Sequence, residues 1–215
     1  MTGGVRLALI CSLLATLLMG CSSPPSSSVT PLHRSTVLIE HENGHGSGLI
    51  IGPDRVLTAH HVVQGDALGV RFFNGEDNAG SVIWSDPDRD LALVDVDIPS
   101  GHPTALLSCE QPKPGQHVIA VGHPIQSQWV LTGGYLPNST LIAGRYVSLG
   151  FPVGLGTSGG PVFDEQGHVV GMTLAILAER ATEAAYDEFK DTGIGLMLPS
   201  SEFCHAVGVT TTAAR

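Results

Sequence analysis

Ser158 stands in Gly156-Thr157-Ser158-Gly159-Gly160-Pro161, with glycines on both sides. A serine hydroxyl is a weak nucleophile until a neighbouring base takes its proton and nearby donors receive the charge that develops on the attacked carbonyl. Glycines suit that need, because without a Cβ they reach backbone conformations closed to other residues and can aim the Gly156 and Ser158 amides at one point as an oxyanion hole. Upstream, Leu57-Thr58-Ala59-His60-His61-Val62-Val63 offers a base, and Asp88-Arg89-Asp90-Leu91-Ala92-Leu93-Val94 sets carboxylates just before an apolar run. The order is His, Asp, Ser, and the side chains are those of nucleophilic acyl transfer.

That order, with the phrases G-S-G-L-I-I (residues 46–51), T-A-H-H-V-V (58–63), D-L-A-L (90–93) and G-T-S-G-G-P (156–161), resembles the trypsin-like, chymotrypsin-fold serine proteases, most closely the bacterial HtrA-type branch. The resemblance covers about residues 35–205. It implies an all-β fold of two six-stranded antiparallel barrels with a short C-terminal helix, and a serine endopeptidase that uses no metal or organic cofactor. His61, which precedes Val62 after Thr58-Ala59, matches the general base, and His60 falls on the variable position before it. Asp90 matches the residue that orients the imidazole, with Asp88 as the second candidate. Ser158 matches the nucleophile, and the Gly156 and Ser158 amides match the oxyanion donors.

Further expectations come with the resemblance. The floor of the primary specificity pocket matches Pro152 and its far wall the strand Gly171 to Ile176, so Pro152, Thr173, Ala175 and Ile176 are the candidate substrate contacts. An uncharged floor and a branched Ile176 predict a shallow pocket that takes Val, Ala or Ile and rejects Lys or Arg, unless Glu179 or Glu183 folds back to supply a charge. Thr157 stands where zymogens of the family carry the acid that pairs with a freed N-terminus, so activity needs no cut within the fold. Some members bridge the inter-barrel connection to the C-terminal region, which implies a disulfide between Cys109 and Cys204, two free cysteines being the alternative. After Pro199, at the end of the stretch that resembles the family's last strand, 16 residues remain, too few for the PDZ domain typical of HtrA proteases, which leaves any gating to loops.

Two readings from other classes stand beside this one. The chain could be an inactive homologue that keeps the fold as a scaffold, against which stands the presence of every catalytic candidate. Gly156 to Gly160 also satisfies G-x-S-x-G, the nucleophile elbow of α/β-hydrolase esterases, in which the histidine follows the serine as His168 or His205 would. No alternation of strands and helices supports that fold. His41-Glu42-Asn43-Gly44-His45 fits the zinc pattern H-E-x-x-H, but Asn43-Gly44 favours a hairpin turn over the helix that zinc binding needs. His33, His102, His117, His123, His168 and His205 form no ligand spacing.

The elements that must position these groups are short. Apolar runs at Val37 to Ile39, Gly48 to Ile51, Leu68 to Phe73, Leu91 to Val96, His117 to Val121, Trp129 to Leu131, Val169 to Leu177 and Ile194 to Leu198 are split by Gly, Pro, Asn and Asp, the pattern of a β-sandwich or barrel. Barrel one is placed at about residues 35–108, barrel two at about 115–199, and the connection at Leu107 to Gly115. Ile176 to Asp191 departs from the pattern: it lacks Gly and Pro, is rich in Ala and Glu, and predicts a surface helix. A second short helix is predicted after Pro199, capped by Ser200 or Ser201 and ended at Gly208.

The N-terminal segment is of another kind. One basic residue, Arg6, precedes an uncharged, mainly apolar run from Leu7 to Met19, shorter than the ~20 residues of a spanning helix, so residues 1–20 read as an export signal. Leu18-Met19-Gly20-Cys21 resembles a lipobox, which would acylate Cys21 and anchor the protein to a membrane of the bacterial envelope; cleavage after Gly20 without acylation is the alternative and gives a secreted protein. Residues 21–30, rich in Ser and Pro, form a tether, and residues 31–215 the folded domain. The formal net charge is −10 and no basic patch occurs, so nucleic acid is not an expected partner; protein or peptide substrates and the membrane are.

Overall fold

The computed structural model describes residues 30–65, 67–125, 127–180 and 189–208. The signal, Cys21 and nearly all of the tether lie outside them. A five-residue helix, α1 (Thr30–Arg34), opens the described chain at the expected start of the folded domain.

Six strands follow: β1 (Thr36–His41), β2 (Gly44–Gly52), β3 (Arg55–Thr58), β4 (Leu68–Arg71), β5 (Asp77–Asp86) and β6 (Leu91–Asp95). They close into an antiparallel barrel in the order β1-β2-β3-β6-β5-β4. The β1–β2 turn falls on Glu42 and Asn43, with His41 opposite Gly44, so the H-E-x-x-H residues form a hairpin and not a metal-binding helix. β5 has no counterpart among the apolar runs, because its side chains are mostly exposed and its residues largely polar.

The second barrel has six antiparallel strands: β8 (His117–Gly122), β9 (Val130–Tyr135), β10 (Val147–Pro152), β11 (Pro161–Phe163), β12 (His168–Arg180) and β13 (Phe189–Pro199). Their order is β10-β13-β12-β11-β8-β9, and the two-residue β7 (Leu106–Leu107) runs parallel to the start of β12. The ends of that sheet meet where the Phe151 ring lies against Gly134, at a distance that a Cβ on Gly134 would reduce to 2.9 Å. Val118, Leu136, Val147, Leu149, Val162 and Met197 are fully or nearly fully buried inside this barrel. A larger core joins the interior of the first barrel, with Ile39, Leu49, Val56, Val70 and Phe72, to Phe163, Val169, Met172 and Leu174 of the second.

At both described ends of the stretch Ile176 to Asp191 strand stands in place of the expected helix. Ile176 to Arg180 continue β12 and Phe189 to Asp191 begin β13, with Ala178 opposite Asp191 and Arg180 opposite Phe189. Residues 181–188, with Glu183, lie outside the described residues. Pairing with a neighbouring strand here overrides the helical preference of Ala and Glu, which is worth only tenths of a kcal/mol per residue.

The C-terminal helix α2 (Ser200–Phe203) does form, but Pro199 holds the N-cap position and no side chain caps it. The Ser200 hydroxyl instead accepts the Cys109 N–H at 3.1 Å. Beside that bond Cys109 and Cys204 are joined by a disulfide, their Cα atoms 5.7 Å apart.

Candidate functional site

The site is built where β3, β6, β8 and β12 meet. A single turn of 3-10 helix, His60–Val62, follows β3 and carries His61 into the cleft while burying Val62 beneath it. Asp90 closes the tight turn before β6 at φ +56°, a left-handed conformation that Asp tolerates better than most residues. One carboxylate oxygen of Asp90 lies 2.7 Å from His61 Nδ1, and the other accepts the His61 backbone N–H at 2.9 Å. Asp88 is exposed, and its carbonyl accepts a bond from Arg145. The His60 ring has a buried Nδ1 without a partner among the described residues and plays no part in this pairing.

Ser158 sits on the facing loop. Gly159 beside it, at φ +83°, leaves room for the Ser47 carbonyl and Thr58 Oγ1, which a Cβ would approach to 2.2 and 2.3 Å. Ala59 N would be 3.0 Å from that same Cβ, so the serine loop lies against the chain that leads into His61. Ser158 Oγ donates to the Leu174 carbonyl at 3.3 Å, and among the described residues no hydrogen bond joins it to His61. Thr173, one residue before Leu174, ties the same loop by two backbone bonds, from Gly159 N–H and to the Gly160 carbonyl.

The two amides expected to receive an oxyanion are both free of acceptors among the described residues, and their directions follow from bonds made by the carbonyls of the same peptides. In a trans peptide C=O and N–H point opposite ways. The Leu155 carbonyl accepts Ile125 N–H at 3.0 Å, which turns the Gly156 amide away from Ile125. The Thr157 carbonyl accepts Gly160 N–H at 2.9 Å, which does the same for the Ser158 amide. Between them the Gly156 carbonyl accepts the Ser47 hydroxyl at 2.8 Å, and Thr157 N–H turns back to the Gly154 carbonyl. Gly156, at φ +96°, has no alternative residue: a Cβ would stand 2.3 Å from the His123 carbonyl and 2.5 Å from His45 Nε2.

The residues expected around a specificity pocket are dispersed over its proposed rim. Pro152 ends β10, exposed, and a Cβ on Gly193 would be 3.6 Å from it. Thr173 is buried with its hydroxyl unpartnered, Ala175 is exposed, and Ile176 packs half-buried against the second core. Among the described residues no cluster of His, Cys, Asp and Glu has the form of a metal site.

The sequence assigned no role at this site to Ser47, to His45 of the H-E-x-x-H stretch or to His123. Ser47 and His123 are 76 residues apart, and only the docking of the two barrels makes them neighbours. Ser47 lay inside the G-S-G-L-I-I phrase, which marked the segment without marking its hydroxyl.

Comparison with known proteins agrees with this geometry. The family described as "Trypsin-like peptidase domain" matches residues 46–172, more than half of the chain, and the match takes in His61, Asp90 and Ser158. A probable periplasmic serine endoprotease, DegP-like, of Marinomonas sp. (strain MWYL1) is 31% identical over 140 residues, 61% of this chain and 29% of that protein. A protein of the same description from Brucella suis biovar 1 (strain 1330) is 31% identical over 171 residues, 75% of this chain and 32% of that protein. The chain thus spans about a third of the length of these relatives. Among solved structures, an inactive form of Rv3671c from M. tuberculosis H37Rv, a serine-to-alanine mutant, is similar with a TM-score of 0.67 and 25% identity, covering 87% of this chain and 92% of that one. The serine endoprotease from Yersinia pestis has a TM-score of 0.68 at 21% identity, covering 83% of this chain and 63% of that one, which shows the shared fold. The chain belongs to the trypsin-like peptidase family, and its curated relatives are of the DegP-like kind that its four sequence phrases resemble.

Proposed function

We propose that this chain is a serine endopeptidase of the cell envelope, with His61, Asp90 and Ser158 as its catalytic residues and the Gly156 and Ser158 amides as its oxyanion hole. The observation that carries the reading is the double hold of Asp90 on His61 across the cleft from a loop whose Gly156 and Ser158 amides have no acceptor among the described residues. The DegP-like relatives, named as periplasmic serine endoproteases, support the reaction and the compartment.

In the reaction, Ser158 Oγ turns from the Leu174 carbonyl towards His61, whose Nε2 takes its proton as Oγ bonds to the substrate's carbonyl carbon. The carbonyl electron pair moves to oxygen and is held by the two amides. Asp90 keeps the proton on Nδ1, leaving Nε2 free to accept, and stabilises the imidazolium. Collapse of the intermediate breaks the C–N bond, and His61 returns the proton to the leaving amine. Water, deprotonated by His61, then releases the acyl group from Ser158.

Pro152 at the pocket floor and Ile176 at its wall, with Thr173 and Ala175 on the same strand, select small or medium aliphatic residues before the cut bond. Cys21 carries the lipid that holds the domain at the membrane. A fluorophosphonate probe tests the central claim. It labels Ser158 in the purified protein, Ser158→Ala and His61→Ala abolish labelling, and His205→Ala leaves it intact; labelling that depends on His205, or none in folded protein, overturns the assignment.

A further inference from the structure

We propose that Ser47 and His123 are positioning residues for the oxyanion loop: a buried relay, from His123 Nδ1–H to Ser47 Oγ and from the Ser47 hydroxyl to the Gly156 carbonyl, locks the peptide that links the two oxyanion amides. The inference rests on the reading of Gly156 and Ser158 as that hole.

Ser47 is fully buried and is bonded to the loop and its surroundings at several points. Its N–H donates to the Ser158 carbonyl at 2.8 Å, its carbonyl accepts Thr58 Oγ1 at 2.7 Å, and its hydroxyl reaches the Gly156 carbonyl. That hydroxyl also lies 3.1 Å from the His123 N–H and 3.0 Å from His123 Nδ1.

Counting protons fixes the arrangement. The Gly156 carbonyl can only accept, so the single Ser47 hydroxyl proton is directed to it. The His123 N–H can only donate, and takes one lone pair of Oγ. The remaining contact is a hydrogen bond only if Nδ1 carries the imidazole proton. Nε2 is then a bare lone pair, buried and without a partner among the described residues, with the Trp129 ring centred 4.8 Å from the imidazole. The opposite tautomer would make Nδ1 compete with Gly156 for one proton and leave a donor buried and unpaired at Nε2, where an unmet donor is costly. Burial, with the charges of His45 and His33 adding to it, lowers the His123 pKa to about 3, so the ring stays neutral in the working range. His45 Nε2 donates to the His123 carbonyl at 2.8 Å and holds the backbone of the relay from the other side.

The relay completes a set of bonds around the loop: the Leu155 and Thr157 carbonyls are held by Ile125 N–H and Gly160 N–H, and the Gly156 carbonyl between them by the Ser47 hydroxyl. Gly156 has no Cβ to limit its backbone at φ +96°, and the bond from the Ser47 hydroxyl holds its carbonyl in place. Holding the Gly156 carbonyl inward makes the outward amides a standing feature of the free protein, so binding substrate need not order them.

Two measurements test this. Nitrogen-15 imidazole spectra of the intact protein are expected to show His123 protonated at Nδ1 and bare at Nε2, a result read without any assay of activity. In turnover of a peptide substrate, Ser47→Ala and His123→Leu are expected to lower kcat by about 10- to 100-fold, below the loss from removing an oxyanion donor outright, with KM nearly unchanged. His123→Asn, which keeps an N–H at the δ position, is expected to recover most of the loss. An Nε2–H tautomer in the wild-type protein, or wild-type kcat in folded Ser47→Ala and His123→Leu, overturns the relay while leaving the peptidase reading intact. Wild-type protein that shows no Ser158-dependent turnover overturns the peptidase reading and the relay's catalytic role with it, and does so independently of the tautomer found.

Discussion

Asp90 grips His61 at two points, the ring Nδ1 at 2.7 Å and the backbone N–H at 2.9 Å, so the carboxylate fixes the position of the residue as well as the orientation of its imidazole. Asp90→Asn keeps an oxygen for the backbone N–H but presents an amide donor to Nδ1, which forces the proton to Nε2 and removes the base. The expected result is a loss of about three to four orders of magnitude in kcat with the fold retained, measured as the rate of peptide turnover and of fluorophosphonate labelling.

Gly159→Ala places a Cβ 2.2 Å from the Ser47 carbonyl in a left-handed backbone. Neither backbone segment can move without disturbing Ser158 or the chain into His61. The variant is expected to lose labelling and at least about 1–3 kcal/mol of stability in denaturant unfolding.

The candidate site is legible in the sequence where the requirement is local. The glycines, the serine and the histidine with its Thr58-Ala59 lead are contiguous phrases, because each depends on turn geometry fixed by its immediate neighbours. The strand runs were visible where they face a core. β5 was not, since its exposed face carries mostly polar residues and its inward signal is weak. Ile176 to Arg180 read as helix because Ala and Glu favour helices locally, and nothing in that stretch announces the partner strand at residues 189–195. Ser200 looked like a cap until Cys109, 91 residues away, claimed its hydroxyl. The His123–Ser47 contact is of the same kind: no pattern in one segment can report a bond to another barrel.

His123 also makes stability depend on pH. Its folded pKa, about 3, lies below the ordinary 6.5, so between these values the unfolded chain binds a proton that the folded protein does not. Stability contributed by neutral His123 is therefore full above about pH 6.5 and is lost as pH falls towards 3, at up to about 1.4 kcal/mol per pH unit. Comparing urea unfolding of the wild type and His123→Asn across that range is expected to show a difference in slope of about one proton, and parallel curves would refute it.

Substrate preference offers a separate check. Profiling on a peptide library is expected to favour Val, Ala or Ile before the cut bond. Pro152→Asp, which introduces a carboxylate beside Gly193, is expected to raise cleavage after Arg and Lys relative to the wild type. A wild-type preference for Arg or Lys would contradict the uncharged floor.

The disulfide closes a loop of 95 residues. Cys109→Ala with Cys204→Ala is expected to cost about 2–5 kcal/mol, and thiol titration of the unreduced, denatured protein is expected to find neither of these two sulfurs reactive.

That bond also divides the molecule topologically. It turns the chain from Cys109 to Cys204, with all six strands of the second barrel and Ser158, into a covalent ring, while His61 and Asp90 stay on the open strand outside it. A single cut anywhere in the ring leaves one molecule with no fragment free to diffuse away. A cut between Asp90 and Cys109 instead breaks the covalent link from His61 and Asp90 to Ser158. The protein is thus covalently protected against nicking on one side of its cleft and not on the other.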